Sequence, residues 1–324
     1  MSASLDHDEL AIPAGELTAT VSSAERKSHL DGVAVACLLC CCSLWGLNQV
    51  ATKVALAEIP PLLQASVRSL GAAVLLAVWA RLRRVRLFDR DGTLRGGLAA
   101  GALFAAEFAC IFLGLQFTAA SRMIVFIYLA PFVVALGMPF IARAERLSPP
   151  QIGGLAAAFA GVAWAFAEGF ESPAVGEHQW IGDALGVLAA VLWGATTLVI
   201  RGSRLSTANA EKTLLYQLAI SGVLLGLGSM LAGEPWPAKL TSVSLLPLAF
   251  QTVVVTFASY LLWFWLIRHY PATRLASFTL LTPISGLFAG VLLLNEPITQ
   301  RLVIALVAVV AGIAIVNRPK PRRP

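Results

Sequence analysis

The sequence predicts an all-α polytopic membrane protein with ten transmembrane helices in a 5+5 inverted-topology repeat. Three observations lead to this prediction: an apolar composition, ten hydrophobic segments of membrane length, and an internal repeat. Of the 324 residues, 58% are hydrophobic and 13% are charged, whereas about a quarter of the residues of a soluble domain are charged. The mean hydropathy is +0.78. These values place the chain in a lipid bilayer.

Each predicted helix follows from the thickness of the bilayer. A hydrocarbon core of about 30 Å needs roughly 20 apolar residues per helix. In chain order, the spans that meet this length are about 33–52, 62–80, 97–116, 121–141, 151–168, 182–200, 212–231, 244–267, 274–294 and 299–317. They occupy most of the chain, which argues against a large extramembrane enzyme.

The segments outside the spans are short. Residues 1–30 are polar and mostly acidic, without the basic and apolar regions of a signal peptide, so we predict a disordered cytoplasmic tail. Residues 319–324 are basic and rich in Pro, and we predict a second cytoplasmic tail. The first five-helix repeat is then 31–170 and the second, inverted repeat is 178–318.

The positive charges predict the orientation, because Lys and Arg favour cytoplasmic loops. With the N-terminus inside, 19 of the 24 Lys and Arg fall in inside segments and four in outside segments, while Arg68 lies within span 2. Both termini are therefore expected in the cytoplasm. The net charge of +6 then reflects topology and lipid contact, and we expect no nucleic acid as a partner.

Similar residues recur in the same order between 148 and 152 positions apart. The pairs are Trp45-Gly46 with Trp193-Gly194, Ala130-Pro131 with Thr282-Pro283, Glu145 with Glu296, and Gly161 with Gly312. Because each copy has an odd number of spans, the second copy crosses the membrane upside down. The loop between spans 2 and 3 accordingly carries six Arg, and its counterpart between spans 7 and 8 carries one Lys. Inverted repeats around a midplane site are common in secondary transporters.

The string LWGLNQVATKVALAEIPPLLQASVR, followed by FTAASRMIVFIYLAPF and AERLSPPQIGG, resembles the EamA-type transporters of the drug/metabolite transporter superfamily. The resemblance covers about residues 33–317, and within the superfamily it is greatest to bacterial aromatic amino-acid exporters. It implies a secondary transporter of the bacterial inner membrane that exports small amphipathic metabolites, most directly aromatic or other hydrophobic amino acids, by alternating access. Arg122 departs from the pattern, since many members place a small residue there.

Polar and aromatic residues at helical spacing form the predicted substrate site. In span 1, Trp45, Asn48 and Gln49 lie on one face, and a polar face in a membrane helix is expected to point into the bundle or a cavity. Hydrogen bonding between helices is the alternative. The predicted substrate-binding residues are Trp45, Asn48, Gln49, Glu107, Tyr128, Trp164, Trp193, Thr197, Thr256, Tyr260, Trp263 and Ser277.

Glu107 lies near the middle of span 3, where an ionisable group indicates function. It is expected to hold a substrate ammonium or carry a proton, and the alternative is a structural ion pair with Arg68 at a similar depth. Pro131 and Pro283 interrupt spans 4 and 9, so we predict paired hinges, with simple kinks as the alternative.

No catalytic residue, metal or cofactor is predicted. Cys37 and Cys40 form a C-x-x-C pair, but it lies in an apolar helix without a second pair and is expected to pack. The expected partners are a small-molecule substrate and the lipid bilayer, and the oligomeric state is left open, with a monomer as one expectation. Two other functions also stay open: a drug or nucleobase exporter of the same fold, and a membrane-embedded enzyme or non-transporting scaffold.

Overall fold

The computed structural model describes residues 31–89, 91–141, 148–171, 173–270, 275 and 278–316. These residues form helices and connecting loops, and no strand occurs among them. The helices are α1 (Gly32–Ala55), α2 (Pro61–Leu82), α3 (Leu94–Gly114), α4 (Ala120–Ile127), α5 (Ala130–Ile141), α6 (Pro149–Glu171), α7 (Gln179–Gly202), α8 (Ala210–Leu231), α9 (Ser242–Ala249), α10 (Tyr260–His269), α11 (Leu281–Leu294) and α12 (Gln300–Val316). A π-helix (Phe250–Ser259) joins α9 to α10.

These helices account for the ten predicted spans. Eight segments of the described chain are long and apolar enough to cross a membrane, and α11 and α12 are shorter apolar helices. Helices α4 and α5 together form the fourth span, and α9, the π-helix and α10 form the eighth. The predicted fold class is therefore confirmed. The predicted tails lie outside the described residues, and the repeat boundaries stay predictions.

The helix contacts follow the repeat. Helix α2 packs on its counterpart α8, and α6 packs on its counterpart α12. The contact of α1 with α11 has its equivalent in the contact of α7 with α4 and α5. The contact of α3 with α7 is likewise matched by that of α1 with α9 and the π-helix. Exchanging the two halves thus reproduces the packing pattern, as a pseudo-two-fold axis in the membrane plane requires.

The repeated glycines explain why these contacts can be close. A Cβ atom on Gly46 would lie 2.6 Å from the backbone nitrogen of Gly286 in α11. A Cβ atom on Gly194 would lie 2.6 Å from the Cβ of Val133 in α5. Small residues allow membrane helices to approach at their backbones. Each Trp-Gly pair therefore combines an aromatic side chain with a close helix contact at equivalent places.

Both repeats break at the same point. Helix α4 ends at Ile127 and α5 begins at Ala130, just before Pro131. In the second half, α11 begins at Leu281, after a turn and just before Pro283. A proline lacks the amide hydrogen and disfavours helical geometry in the preceding residue, which accounts for the interruptions. Movement at these breaks stays a prediction.

A buried ionic cluster joins the helix ends at one face of the membrane. We name the two faces by residues that lie there: α1 begins at the Asp31 face and ends at the Glu58 face. At the Glu58 face, Arg122 Nη2 lies 2.6 Å from Asp183 Oδ2, and Arg122 Nη1 lies 2.7 Å from Glu168 Oε2. Thr118 Oγ1 also donates to Asp183. This Arg122 cluster (Thr118, Arg122, Glu168 and Asp183) ties together α4, α6 and α7.

Glu296 forms a second set of polar contacts at the Glu58 face, beside the Arg122 cluster. Its carboxylate accepts hydrogen bonds from the backbone amides of Ala120 and Ser121, at 2.7 and 2.9 Å. Lys53 Nζ lies 3.6 Å from this carboxylate and donates to the carbonyl of Thr118 at 2.6 Å. Carboxylates are favourable at helix N-termini because the first amides have no partner within the helix. The loop between α11 and α12 is thereby fastened to the start of α4.

Candidate functional site

A cavity of about 360 Å³ lies between helices of both halves. Ligand pockets of this kind are typically about 300–1,000 Å³. Its polar and aromatic lining consists of Trp45, Asn48, Gln49, Phe104, Glu107, Phe108, Tyr128, Trp193, Thr196, Thr197, Gln217, Tyr260, Trp263, Thr279 and Thr282. Pro131 and several aliphatic side chains complete the wall. The structure thus brings most of the predicted residues, from five separate spans, to one space.

Helix α1 contributes an aromatic group that is fixed by its neighbours. The indole nitrogen of Trp45 donates to Ser259 Oγ at 2.9 Å. Its ring meets those of Trp263 and Tyr260 edge-on, with centroids 5.4 and 6.5 Å apart. Edge-to-face pairs at such separations are favourable. One wall of the cavity therefore consists of three aromatic rings whose positions are fixed by their mutual packing and by the hydrogen bond to Ser259.

The next turn of α1 supplies amide groups. Asn48 and Gln49 line the cavity, and neither Asn48 Oδ1 nor Gln49 Oε1 has a hydrogen-bond partner among the described residues. Buried polar atoms are normally paired. Thr52, one turn further along the same stripe, donates to the carbonyl oxygen of Asn48 at 2.8 Å, and its hydroxyl also lies 3.1 Å from Gln251 Oε1, which links α1 to the π-helix. The stripe on α1 thus divides into two lining amides and one packing hydroxyl.

Helix α7 presents the equivalent Trp from the second repeat. The ring of Trp193 meets that of Tyr128 edge-on, with centroids 5.8 Å apart. The hydroxyls of Thr196 and Thr197 donate to carbonyls of their own helix at 2.8 and 3.1 Å. Because the hydroxyl hydrogens of both threonines are donated to backbone carbonyls, these residues present only acceptor oxygens and methyl groups to the cavity.

Glu107 and Arg68 occupy different environments. The side chain of Glu107 is 4% exposed and lines the cavity, and its Oε2 has no hydrogen-bond partner among the described residues. Arg68 is outside the lining, with its guanidinium carbon 3.9 Å from the ring centroid of Phe108. In the described part of the chain no direct ion pair joins the two. A guanidinium stacked on an aromatic ring is stabilised by cation–π attraction, and this contact takes the place of the ion pair that was the alternative for Glu107.

Two predicted residues lie elsewhere, and a third falls outside the described residues. Thr256 is buried in the π-helix and is absent from the lining, because hydrogen bonds from i to i+5 change the helical phase that the sequence spacing assumed. Trp164 is 44% exposed on the outside of α6, with the guanidinium of Arg301 5.5 Å from its ring, as expected for a residue at the bilayer interface. Ser277 lies outside the described residues.

Some lining residues escaped the sequence reasoning. Gln217 is a single amide within the mostly apolar residues 214–220 of α8, and the argument applied to Asn48 would have selected it. Thr279 and Thr282 enter the lining because the chain turns just before Pro283. Their signal was the proline itself, since a broken helix exposes side chains that regular periodicity would not place in the cavity.

The described residues contain no group of three or more His, Cys, Asp or Glu that is arranged to hold a metal ion. The five cysteines are free, and Cys42 Sγ contacts the carbonyl oxygen of Phe278 at 3.2 Å. A mostly aromatic cavity with one carboxylate and several amides suits binding of a small amphipathic molecule.

Comparison with known proteins agrees with this architecture. A model of the EamA-like transporter family matches residues 32–167 and 180–318. A solved crystal structure superposes with a TM-score of 0.60 at 18% sequence identity, covering 88% of this chain and 97% of that chain. This likeness concerns the fold.

Several bacterial proteins are similar over most of their length. "Uncharacterized transporter YvbV" of Bacillus subtilis is 29% identical over 279 residues, or 85% of this chain and 88% of its own. Two proteins named "Probable amino-acid metabolite efflux pump" are 28% identical in Salmonella typhimurium and 27% identical in Escherichia coli. Each alignment covers 84% of this chain and 90% of the relative.

Proposed function

Because this chain belongs to the EamA-like transporter family, we propose that it exports aromatic or other hydrophobic amino acids across a bacterial inner membrane by alternating access. The observation that carries the proposal is the cavity between the two repeats. Its indole and phenol rings suit an apolar side chain, and its amides and carboxylate suit polar groups at the other end of the same molecule. From the distribution of positive charge we expect both termini in the cytoplasm.

The names of the relatives favour amino acids over other small amphipathic compounds. Two of them are named as probable amino-acid metabolite efflux pumps, at 27% and 28% identity. A drug exporter of the same fold is the second candidate, and Glu107 favours it, because a carboxylate at mid-membrane suits an organic cation.

Counterflow in liposomes tests the proposal. Purified protein would be reconstituted with unlabelled amino acid inside, and the entry of labelled phenylalanine, labelled threonine and a labelled cationic drug would be followed. We expect phenylalanine to exchange faster than threonine, because the aromatic walls bind an apolar side chain more favourably than a polar one. Exchange of the drug alone would overturn the amino-acid proposal in favour of the second candidate.

A matched pair of tryptophan variants connects transport to the cavity. Trp193→Ala removes a lining ring, and we expect phenylalanine exchange to fall at least about tenfold, as for buried aromatic anchors. Trp164→Ala removes a ring that is 44% exposed on the outside of the bundle, and we expect exchange within about twofold of the wild type. Equal losses in the two variants would remove the assignment of this cavity to the substrate.

A further inference from the structure

We propose that the cavity recognises its substrate through the amino group alone, with Glu107 as the partner of the ammonium, and that aromatic monoamines without a carboxylate are therefore also substrates. The inference rests on the proposed transport function and narrows it to a chemical class. Phenethylamine and esters of phenylalanine are simple members of that class.

The first step of the argument is the charge of the wall. Among the described residues that line the cavity, Glu107 carries the one carboxyl group, and no Lys or Arg is part of the lining. A ligand that brings a positive charge is therefore favoured electrostatically, and one that brings a negative charge is opposed. In a space surrounded by hydrocarbon and aromatic rings such interactions are stronger than in water.

The second step is that the Glu107 carboxyl group has a buried oxygen without a hydrogen-bond partner. Its side chain is 4% exposed, and Oε2 has no partner among the described residues. Leaving a buried carboxylate without a partner is costly. An ammonium group from a ligand would supply both the opposite charge and the missing hydrogen-bond donors.

The third step concerns Arg68, the nearest candidate for binding a substrate carboxylate. Its side chain is 1% exposed and stays outside the cavity lining, stacked on Phe108 at 3.9 Å and near Phe112 at 5.3 Å. Phe108 itself faces the cavity. A substrate carboxylate in the cavity would therefore contact the ring of Phe108, because that ring lies between the cavity and the guanidinium of Arg68.

The fourth step concerns which neutral groups of the lining still have an unused hydrogen-bond donor or acceptor. The indole N–H of Trp45 is committed to Ser259, and the hydroxyl hydrogens of Thr196 and Thr197 are committed to backbone carbonyls. Free acceptors among the described residues, by contrast, include the amide oxygens Asn48 Oδ1 and Gln49 Oε1. These free acceptors complement the donors of an ammonium group better than they complement a carboxylate.

The experiment compares ligands that share one ring and differ at the charged ends. Phenylalanine, its methyl ester, phenethylamine, N-acetylphenylalanine and 3-phenylpropionate would each compete with labelled phenylalanine in counterflow. We expect the ester and phenethylamine to compete at least as well as phenylalanine. We expect N-acetylphenylalanine and 3-phenylpropionate to compete at least about tenfold more weakly, since each lacks the ammonium that a charge-assisted hydrogen bond requires.

Glu107→Gln provides the second test, because it keeps the size of the side chain and removes its charge. We expect competition by phenethylamine to weaken at least about tenfold. Glu171→Gln is the matched control, since Glu171 is exposed at the end of α6, and it should leave the order of the ligands unchanged. Should Glu107→Gln fail to fold, the ligand series on the wild-type protein decides the question alone.

The outcomes separate the two proposals. If phenylalanine exchanges but phenethylamine does not compete, or N-acetylphenylalanine competes as well as phenylalanine, the inference is overturned and the transport proposal stands. If phenylalanine does not exchange at all, the transport proposal fails. The inference is then judged by binding: a rise in the unfolding temperature with phenethylamine, and none with 3-phenylpropionate, would support it, and the reverse would overturn it.

Discussion

At the scale of single residues, the Trp-Gly pairs show what the sequence could and could not predict. The spacing of Trp45, Asn48 and Gln49 placed them on one face of a membrane helix, and all three line the cavity. The reason for Gly46 was invisible in the sequence, because it depends on α11, 240 positions further along the chain at Gly286. Periodicity identifies a polar face, but only the fold identifies which backbone lies against a glycine.

This contact predicts the effect of a single methyl group. In Gly46→Ala the new Cβ would lie 2.6 Å from the nitrogen of Gly286 and 2.9 Å from the carbonyl carbon of Ser285. Because both are backbone atoms, α1 and α11 must separate, and we expect a loss of about 1–3 kcal/mol in the free energy of unfolding. Thermal unfolding in detergent measures it.

Gly153→Ala is the control for that measurement. Gly153 lies in α6, and a Cβ there would have none of the described residues within 4 Å. Replacing an exposed helical glycine by alanine is expected to raise stability by up to about 1 kcal/mol. The two variants should therefore shift the unfolding temperature in opposite directions, and a stable Gly46→Ala protein would contradict the close contact.

At the scale of elements, the long spans were predictable because hydrophobic length alone defines them, whereas their internal irregularities were not. The phase of the eighth span changes over the π-helix (Phe250–Ser259), which follows Pro247 in α9. Proline disrupts regular hydrogen bonding within a helix, but the sequence does not specify the pattern that replaces it. Thr256 was misplaced for this reason, while Tyr260 and Trp263, which follow the π-helix, line the cavity.

The Arg122 cluster predicts how firmly three elements are joined. Arg122→Ala would leave Asp183, which is fully buried, and Glu168 without their cation. Removing one partner of a buried ion pair typically costs about 3–5 kcal/mol, so we expect a corresponding fall in the free energy of unfolding. Arg301→Ala breaks a pair whose partner Glu171 is 59% exposed, and such surface pairs contribute about 1 kcal/mol or less. Similar losses for the two variants would contradict a buried cluster.

A second link, between the α2–α3 loop and α8, predicts a dependence on pH. Lys212 Nζ donates to Asp91 at 2.8 Å, and this bond, with one from Thr93, holds the pKa of the Asp91 carboxyl below its usual value. The folded state therefore gains stability from Asp91 above the pKa of the unfolded chain and loses it as the pH falls toward the folded pKa. Unfolding temperatures between pH 7 and pH 3 should fall less in Asp91→Asn than in wild type. Parallel curves would show that the link contributes nothing.

At the scale of the whole molecule, the repeat in the sequence was sufficient to predict the symmetry of the packing. Paired residues in constant order specify two copies of one plan, and an odd number of spans requires inversion. The presence, in the described part of the chain, of a buried ionic cluster at only one of the two membrane faces was harder to predict from the sequence, since Arg122, Glu168 and Asp183 come from three spans. Their assembly depends on how the helix ends meet, which no local pattern encodes.

That asymmetry predicts the side from which the cavity is reached. The lining extends to Ile200, near the end of α7, and to Gln217 in the first turns of α8, both toward the Asp31 face. The Arg122 cluster, with Arg122 2% exposed, lies between the helix ends at the Glu58 face. We therefore expect a path to the Asp31 face, which the charge distribution predicts to be cytoplasmic.

Cysteine labelling tests this expectation. In a chain whose five cysteines are replaced by alanine or serine, Thr197→Cys should react with a membrane-impermeant thiol reagent from the Asp31 face and much more slowly from the Glu58 face. Glu177→Cys, in the exposed loop before α7, is the control that reports the Glu58 face. Adding Asp183→Asn weakens the closure, because Arg122 loses its most buried partner, and labelling of Thr197→Cys from the Glu58 face should then increase. A labelling rate from the Glu58 face that is already high with Asp183 in place, and that Asp183→Asn does not alter, would show that the Arg122 cluster does not close the path to that face.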